Sequence, residues 1–205
     1  MAEITAITPQ IKDKTRCNIE IDGRFYCGLK LETAMKYRLK AGEHIELSRL
    51  AAIQLESEKM TALDKALTHI SASMKTERQI RDFLKKKGYL DDVCDYVAEK
   101  MREYSYLDDA AYAKSYAESA GKRKGKRLIR AELKQKGVDD AAISEALEAI
   151  PDEDESAARV LEKYLRGKAA DEKTFRKAYA HLIGKGFDHD TAKKVLSAYG
   201  ASDED

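Results

Sequence analysis

The sequence predicts a mainly α-helical chain: three tandem three-helix repeats in an elongated array, preceded by a small N-terminal α/β unit made of a hairpin plus a helix. Three observations carry this. Residues 60–200 are rich in Ala, Leu, Lys and Glu, all strong helix formers, and the chain holds only two prolines, Pro9 and Pro151. A set of residue types recurs at a fixed interval of 49 positions. The first 45 residues differ, with two alternating apolar runs around Asp22-Gly23, a pair that favours a two-residue hairpin turn.

In chain order, "CNIEIDGRFYCGLKL" supplies the hairpin, "ETAMKYRL" a short helix, and "KAGEHIEL" a third strand. "ELSRLAAIQLESEKMTALDKALTHI" is helical, with Ser48 as its expected start. The repeat begins there. Lys-Gly occurs at 87–88, 136–137 and 185–186, each pair separated by 49 residues (136 − 87 and 185 − 136). Arg78, Arg127 and Arg176 fall in register, as do Leu84, Leu133 and Leu182. Thr76, Gly125 and Thr174 occupy the expected N-cap position, and Thr76 with Gln79 forms a capping-box pattern. Gly88, Gly137 and Gly186 stand where a helix C-terminus favours a left-handed residue. A periodic apolar segment precedes each such helix, and an acidic start followed by a third helix comes after it. Each repeat therefore reads as three helices of roughly 8 to 14 residues. The expected divisions are 1–58 for the N-terminal unit, then 59–103, 104–151 and 152–205, the last with an acidic tail and Pro151 at the junction before it.

Composition narrows the function. Lys and Arg total 38 against 37 Asp and Glu, a formal net charge of +1, so only the distribution of charge can point to an acidic partner. There is no apolar run long enough for a membrane span and no signal-peptide pattern at the start, which reads as a soluble, cytoplasmic protein. The three cysteines, Cys17, Cys27 and Cys94, have no metal or redox spacing and are expected to be buried thiols. The four histidines share no metal spacing, and "GKRKGKR" lacks the spacing and the Ser or Thr of a phosphate loop. Asp pairs at 91–92, 108–109 and 139–140 fall at helix starts, where capping explains them. No nucleophile–base set emerges. The chain reads as a binding protein without catalytic residues, cofactor or metal.

The binding candidate is "RKGKRLIRAELKQKG", residues 123–137. On a helical wheel Ile129 and Leu133 form an apolar edge, and Arg127, Arg130 and Lys134 share a sector ~60° wide beside it. Residues 122–136 carry eight basic side chains and one acidic one, Glu132. Such crowding is unfavourable in an isolated helix and is relieved by an acidic partner. The first repeat has Arg78, Arg81 and Lys85 at the same positions; the third has Arg176, then Tyr179 and Ile183. The expected interface is therefore Arg78, Arg81, Lys85, Lys122, Arg123, Lys124, Lys126, Arg127, Arg130 and Lys134, with phosphates as the ligand such stripes most often meet. Tyr112 and Tyr116 read as core residues. Tyr104 and Tyr106, at a junction, stay open between packing and base stacking.

The run "TERQIRDFLKKKGYLDD" and the longer "YLDDAAYAKSYAESAGKRKGKRLIRAELKQKGVDDAAISEAL" resemble the RecX family of bacterial recombination regulators, over about 60–200; the N-terminal unit resembles the extension of longer members. The chain departs from that pattern in its Lys-rich loop after Gly121 and its weakly basic third repeat. The resemblance implies a partner, the RecA recombinase filament on single-stranded DNA, with double-stranded DNA as a second ligand and the protein itself a monomer. It implies modulation, mostly inhibition, of recombinase, ATPase and coprotease activities in DNA repair, recombination and the SOS response. The alternatives are a general DNA- or RNA-binding helical repeat protein that does not act on RecA, and a scaffold whose basic stripe meets an acidic protein.

Overall fold

The computed structural model describes residues 1–150, 152–169 and 171–202. Pro151, expected at the second junction, and the acidic end at 203–205 lie outside the described residues. The chain divides into two compact units, one of Met1–Met74 with Ile80–Tyr106, the other of Lys75–Gln79 with Leu107 onward.

The first unit opens with a four-stranded antiparallel sheet of β1 (Ala2–Pro9), β2 (Arg16–Ile21), β3 (Arg24–Lys30) and β4 (His44–Ile45), in the order β3-β2-β1-β4. Asp22 and Gly23 both have positive φ, +49° and +76°, as a primed two-residue turn requires. The sequence expectation of a third strand in "KAGEHIEL" is met by β4, which is only two residues long. β1 was not expected. Its register shifts between Ile4 and Ala6, so its buried and exposed residues do not alternate cleanly and the two-residue signature is lost.

After α1 (Leu31–Lys36), α2 runs unbroken from Leu47 to Ser71. It starts one residue before Ser48; Glu46 holds the N-cap position without a side-chain bond, and the Ser48 hydroxyl donates to the Glu46 carboxylate at 3.4 Å. Leu50 and Ile53 join Ile4, Cys17, Ile19 and Leu29 in the sheet core, whereas Ala62 and Ala66, farther along, are also fully buried. Residue 58 therefore lies inside one continuous helix. The first helix of the first repeat is the second half of α2, not a separate helix of 8 to 14 residues. α3 (Glu77–Lys86) and α4 (Asp91–Glu103) follow, and α2 packs along α4.

The second unit contains α5 (Asp109–Gly121), α6 (Lys126–Gln135), α7 (Asp140–Glu148), α8 (Asp154–Leu165), α9 (Glu172–Gly184) and α10 (His189–Ser202). The core of the second repeat gathers Ala113, Ala117, Ile129, Leu133 and Ile143; that of the third gathers Leu161, Leu165, Ala178, Leu182 and Phe187. Gly88, Gly137 and Gly186 have φ of +88°, +88° and +90°, the left-handed conformation predicted for all three. Asp108, Asp139 and Asp188 accept from Ala111, Ala142 and Thr191 amides at 2.8, 2.9 and 2.7 Å. Two capping expectations fail. Asp91 is not a cap: Leu90 takes that position and Asp91 pairs with Lys85 at 2.8 Å. Thr174 is not the N-cap of α9, because Asp171 occupies that place and accepts from the Thr174 amide at 2.7 Å.

One joint is built twice in this unit. The Thr76 hydroxyl donates to the Lys136 carbonyl at 2.6 Å, and 49 residues on the Gly125 amide donates to the Lys185 carbonyl at 2.9 Å. Beside these bonds, the Glu77 amide donates to the Asp109 carboxylate at 2.9 Å and the Lys126 amide to Glu153 at 2.5 Å. A carboxylate from the next repeat thus satisfies a free N–H at the start of α3 and of α6. A methyl on Gly137 would lie 2.6 Å from the Arg78 Cβ, and one on Gly125 would collide with the Gly186 carbonyl. Only glycine permits this backbone approach.

Candidate nucleic-acid interface

α6 is an amphipathic helix whose apolar residues Ile129 and Leu133 are fully buried. Burying them fixes the rotation of the helix, and Arg127, Arg130 and Lys134 are consequently exposed. Gly125 caps the helix with backbone alone, which leaves the loop 122–125 to present Lys122 and Arg123 to solvent.

The ten sequence candidates do not share one electrostatic state. Lys124 turns inward, pairing with Glu132 at 2.5 Å, while the Tyr116 hydroxyl donates to the same carboxylate at 2.6 Å. Burial pushes the Glu132 carboxyl up, but the bonds from Lys124 and Tyr116 outweigh it and hold the group below its ordinary range. Lys124 is raised, first by its bond to Glu132. Lys134 lies 3.3 Å from Asp140 and Arg130 reaches the Ser144 hydroxyl at 3.5 Å. Lys126 is half-buried beside the joint. In the first unit Arg81 pairs with Asp95, and Lys85 pairs with Asp91, a bond that raises the Lys85 pKa. Arg78 belongs to the second unit, under Gly137. Exposed pairs such as Lys134–Asp140 are worth about 0–1 kcal/mol and exchange readily for a phosphate. Lys122, Arg123 and Arg127 form no ion pair among the described residues.

Tyr112 and Tyr116 pack against the core of the second repeat, stacked with ring centroids 6.0 Å apart, as the sequence implied. Lys136, outside the predicted stripe, holds its Nζ 6.0 and 5.4 Å from these two rings. Its spacing from Lys134 gave no sign of this, because the ring positions come from α5. Tyr104 and Tyr106 are 59% and 54% exposed and 6.4 Å apart, so neither is a core residue. In the third repeat Arg176 pairs with Glu172 at 2.5 Å and the Tyr179 hydroxyl meets His189 Nδ1 at 2.7 Å, which leaves no basic stripe there. Among the described residues no group of three or more His, Cys, Asp or Glu could hold a metal ion, and no helix is long and apolar enough to cross a membrane. Cys17, Cys27 and Cys94 are buried free thiols, and burial pushes Cys27 up to about 11.

Four family models cover the chain: the regulatory protein RecX N-terminal domain at residues 2–46, and the first, second and third RecX three-helix domains at 62–101, 108–147 and 152–196. Regulatory protein RecX of Bacillus licheniformis is 30% identical over 211 residues, covering 100% of this chain and 80% of that one. The Clostridium tetani protein of the same name is 31% identical over 207 residues, with 98% and 96% covered. A crystal structure of regulatory protein RecX superposes with a TM-score of 0.70 at 27% identity, covering 96% of this chain and all of the other. RecX from Lactobacillus salivarius shares the fold at a TM-score of 0.60 and 22% identity, over 69% of this chain and 96% of its own. With the sheet unit and all three helical domains matched in order, the chain belongs to the RecX family of regulatory proteins.

Proposed function

We propose that the protein is a non-catalytic, cytoplasmic regulator that binds the RecA–single-stranded-DNA filament through the basic face of its helical repeats and mostly inhibits recombinase, ATPase and coprotease activities. One observation supports it above others: the second repeat exposes Arg127, Arg130 and Lys134 on a helix anchored through the fully buried Ile129 and Leu133. Beyond the exposed contacts of Arg130 with Ser144 and of Lys134 with Asp140, these basic side chains take no part in the core of their own repeat. Phosphates, or the acidic wall of a protein–DNA groove, would replace the weak pair at Lys134 and complete the environment of Arg127. The four RecX domain matches make the filament the partner to test first.

The test measures RecA's DNA-dependent ATPase while this protein is added below one copy per recombinase. Inhibition in that range supports action on the filament. Inhibition only once the DNA is coated would instead mark a general nucleic-acid binder. No inhibition at any ratio refutes the proposal.

A further inference from the structure

A cleft of about 340 Å³ lies in the second unit between the loop 122–125 and the third repeat. Its wall is formed by Arg123, by Val160, Lys163 and Tyr164 of α8, and by His181 and Lys185 at the end of α9. Lys168 completes the rim, its Nζ 3.1 Å from the Tyr164 ring centroid. Among the described residues no carboxylate lines this wall. Arg123, Lys163 and Lys185 form no ion pair among the described residues, unlike Lys134 or Arg176. In a chain of net charge +1, with nearly equal numbers of acids and bases, four cations gathered without a counter-charge among the described residues form a positive site.

The cleft is also aromatic. The His181 ring stacks on Tyr164 with centroids 4.4 Å apart and an interplanar angle of 23°. Burial pushes the His181 pKa below its ordinary value, and Lys185 and Lys168 push the same way. At neutral pH the imidazole is thus a flat, uncharged ring inside a ring of cations. With Tyr164 covered by His181 and Lys168, the imidazole is the ring left for a base, and cations for the backbone beside a flat ring are the combination that single-stranded nucleic acid uses, because duplex bases are not available for stacking.

We propose that this cleft binds the phosphate backbone of single-stranded nucleic acid, at a site on the third repeat separate from the α6 face. It rests on the reading above only in that the ligand is nucleic acid. The third repeat, which lacks the stripe, contributes through a different surface, with Arg123 adjoining both. A phosphate placed among Arg123, Lys163 and Lys185 favours the charged form of His181. Binding therefore takes up a proton and tightens as pH falls through the His181 titration.

The experiment is fluorescence anisotropy of a labelled oligothymidylate with the full-length chain, its double variant Lys163→Gln/Lys185→Gln and its α6 variant Arg127→Glu/Arg130→Glu/Lys134→Glu. The cleft variant should bind about tenfold more weakly, with a log–log salt slope shallower by about one unit. In the wild type, the His181 ring protons, assigned by their loss in His181→Asn, should titrate at higher pH when the oligonucleotide is bound. That second readout does not depend on how the double variant folds. Unchanged affinity of the cleft variant together with an unmoved His181 titration overturns the proposal. So does a cleft variant that binds the oligonucleotide normally but no longer captures RecA without DNA, since the ligand is then an acidic protein surface. If only the α6 variant loses binding, the cleft inference fails and the stripe stands; if only the cleft variant does, the stripe fails and the cleft stands.

Discussion

Replacing Gly186 with alanine tests the joint, because Gly167 provides a matched control in the same unit. Both residues have positive φ, +90° and +74°. A methyl on Gly167 meets nothing within 4 Å, so Gly167→Ala incurs only the left-handed strain of an L-residue, about 1 kcal/mol. A methyl on Gly186 collides with the Leu128 amide and Cβ and comes within 2.9 Å of its Cα. These are largely backbone atoms of the first turn of α6 and cannot rotate aside, so an overpacking cost of about 1–3 kcal/mol is added. The gain from a stiffer unfolded chain is common to both variants and cancels in the comparison. Urea unfolding followed by far-UV circular dichroism should therefore show Gly186→Ala less stable than Gly167→Ala by about 1–3 kcal/mol. Equal midpoints would refute the view that the backbone approach at Gly186 is tight.

Charge reversal of Arg127, Arg130 and Lys134 to Glu should leave circular dichroism nearly unchanged, abolish RecA inhibition, and flatten the log–log salt dependence of single-stranded DNA binding by about two units; wild-type inhibition by the variant would return the stripe to ordinary surface. Arg176→Glu in the third repeat should do much less in the same assay, because Tyr179 and Ile183 leave that stripe without further cations. Asp109→Ala removes the acceptor from the Glu77 amide and should lower stability by about 1 kcal/mol, whereas Asp109→Asn keeps an acceptor and should be tolerated at neutral pH. Burial raises the Asp109 pKa above its unfolded value, so its favourable contribution is present at low pH and lost as pH rises through the folded value; Asp109→Asn should abolish that dependence, and a urea midpoint difference between the two chains that is constant with pH contradicts the assignment. Removing residues 1–58 takes away the whole sheet, and the remaining helical repeats should still melt cooperatively; a product with no thermal transition denies them independent stability.

Local chemistry was legible in the sequence and long-range pairing was not. The 49-residue interval found Gly88, Gly137 and Gly186 because a left-handed C-cap depends on one residue and its immediate neighbours. Ile129 and Leu133 were readable from a single helical wheel. β1 was missed because its bulge breaks the alternation; the stretch forming α2 was read as helical, but the repeat pattern, not a chain breaker, placed a division at 58 inside it. Asp171 displaced Thr174 as a cap because the α8–α9 connection differs from that in the other repeats. Within the candidate interface the wheel separated polar from apolar residues correctly. It could not show that Lys124 reaches Glu132 eight residues away, or that Lys134 reaches Asp140 across a turn. Those partners depend on how neighbouring elements meet, which no helical period encodes.

A joint made of one amide or hydroxyl, one carbonyl and one glycine carries a hazard for a chain assembled from copies of it. Head-to-tail contacts that do not close on themselves can continue from molecule to molecule and produce fibres. The receiving half is present at the first copy, where a methyl on Gly88 would meet nothing within 4 Å. The matching donor at the last copy is Thr174, and it is withdrawn: the helix there begins earlier, and Asp171 consumes the Thr174 amide within its own chain. The Asp171 cap, one of the two that depart from the repeat, thus leaves the last copy with no free Thr174 amide to offer a neighbouring molecule.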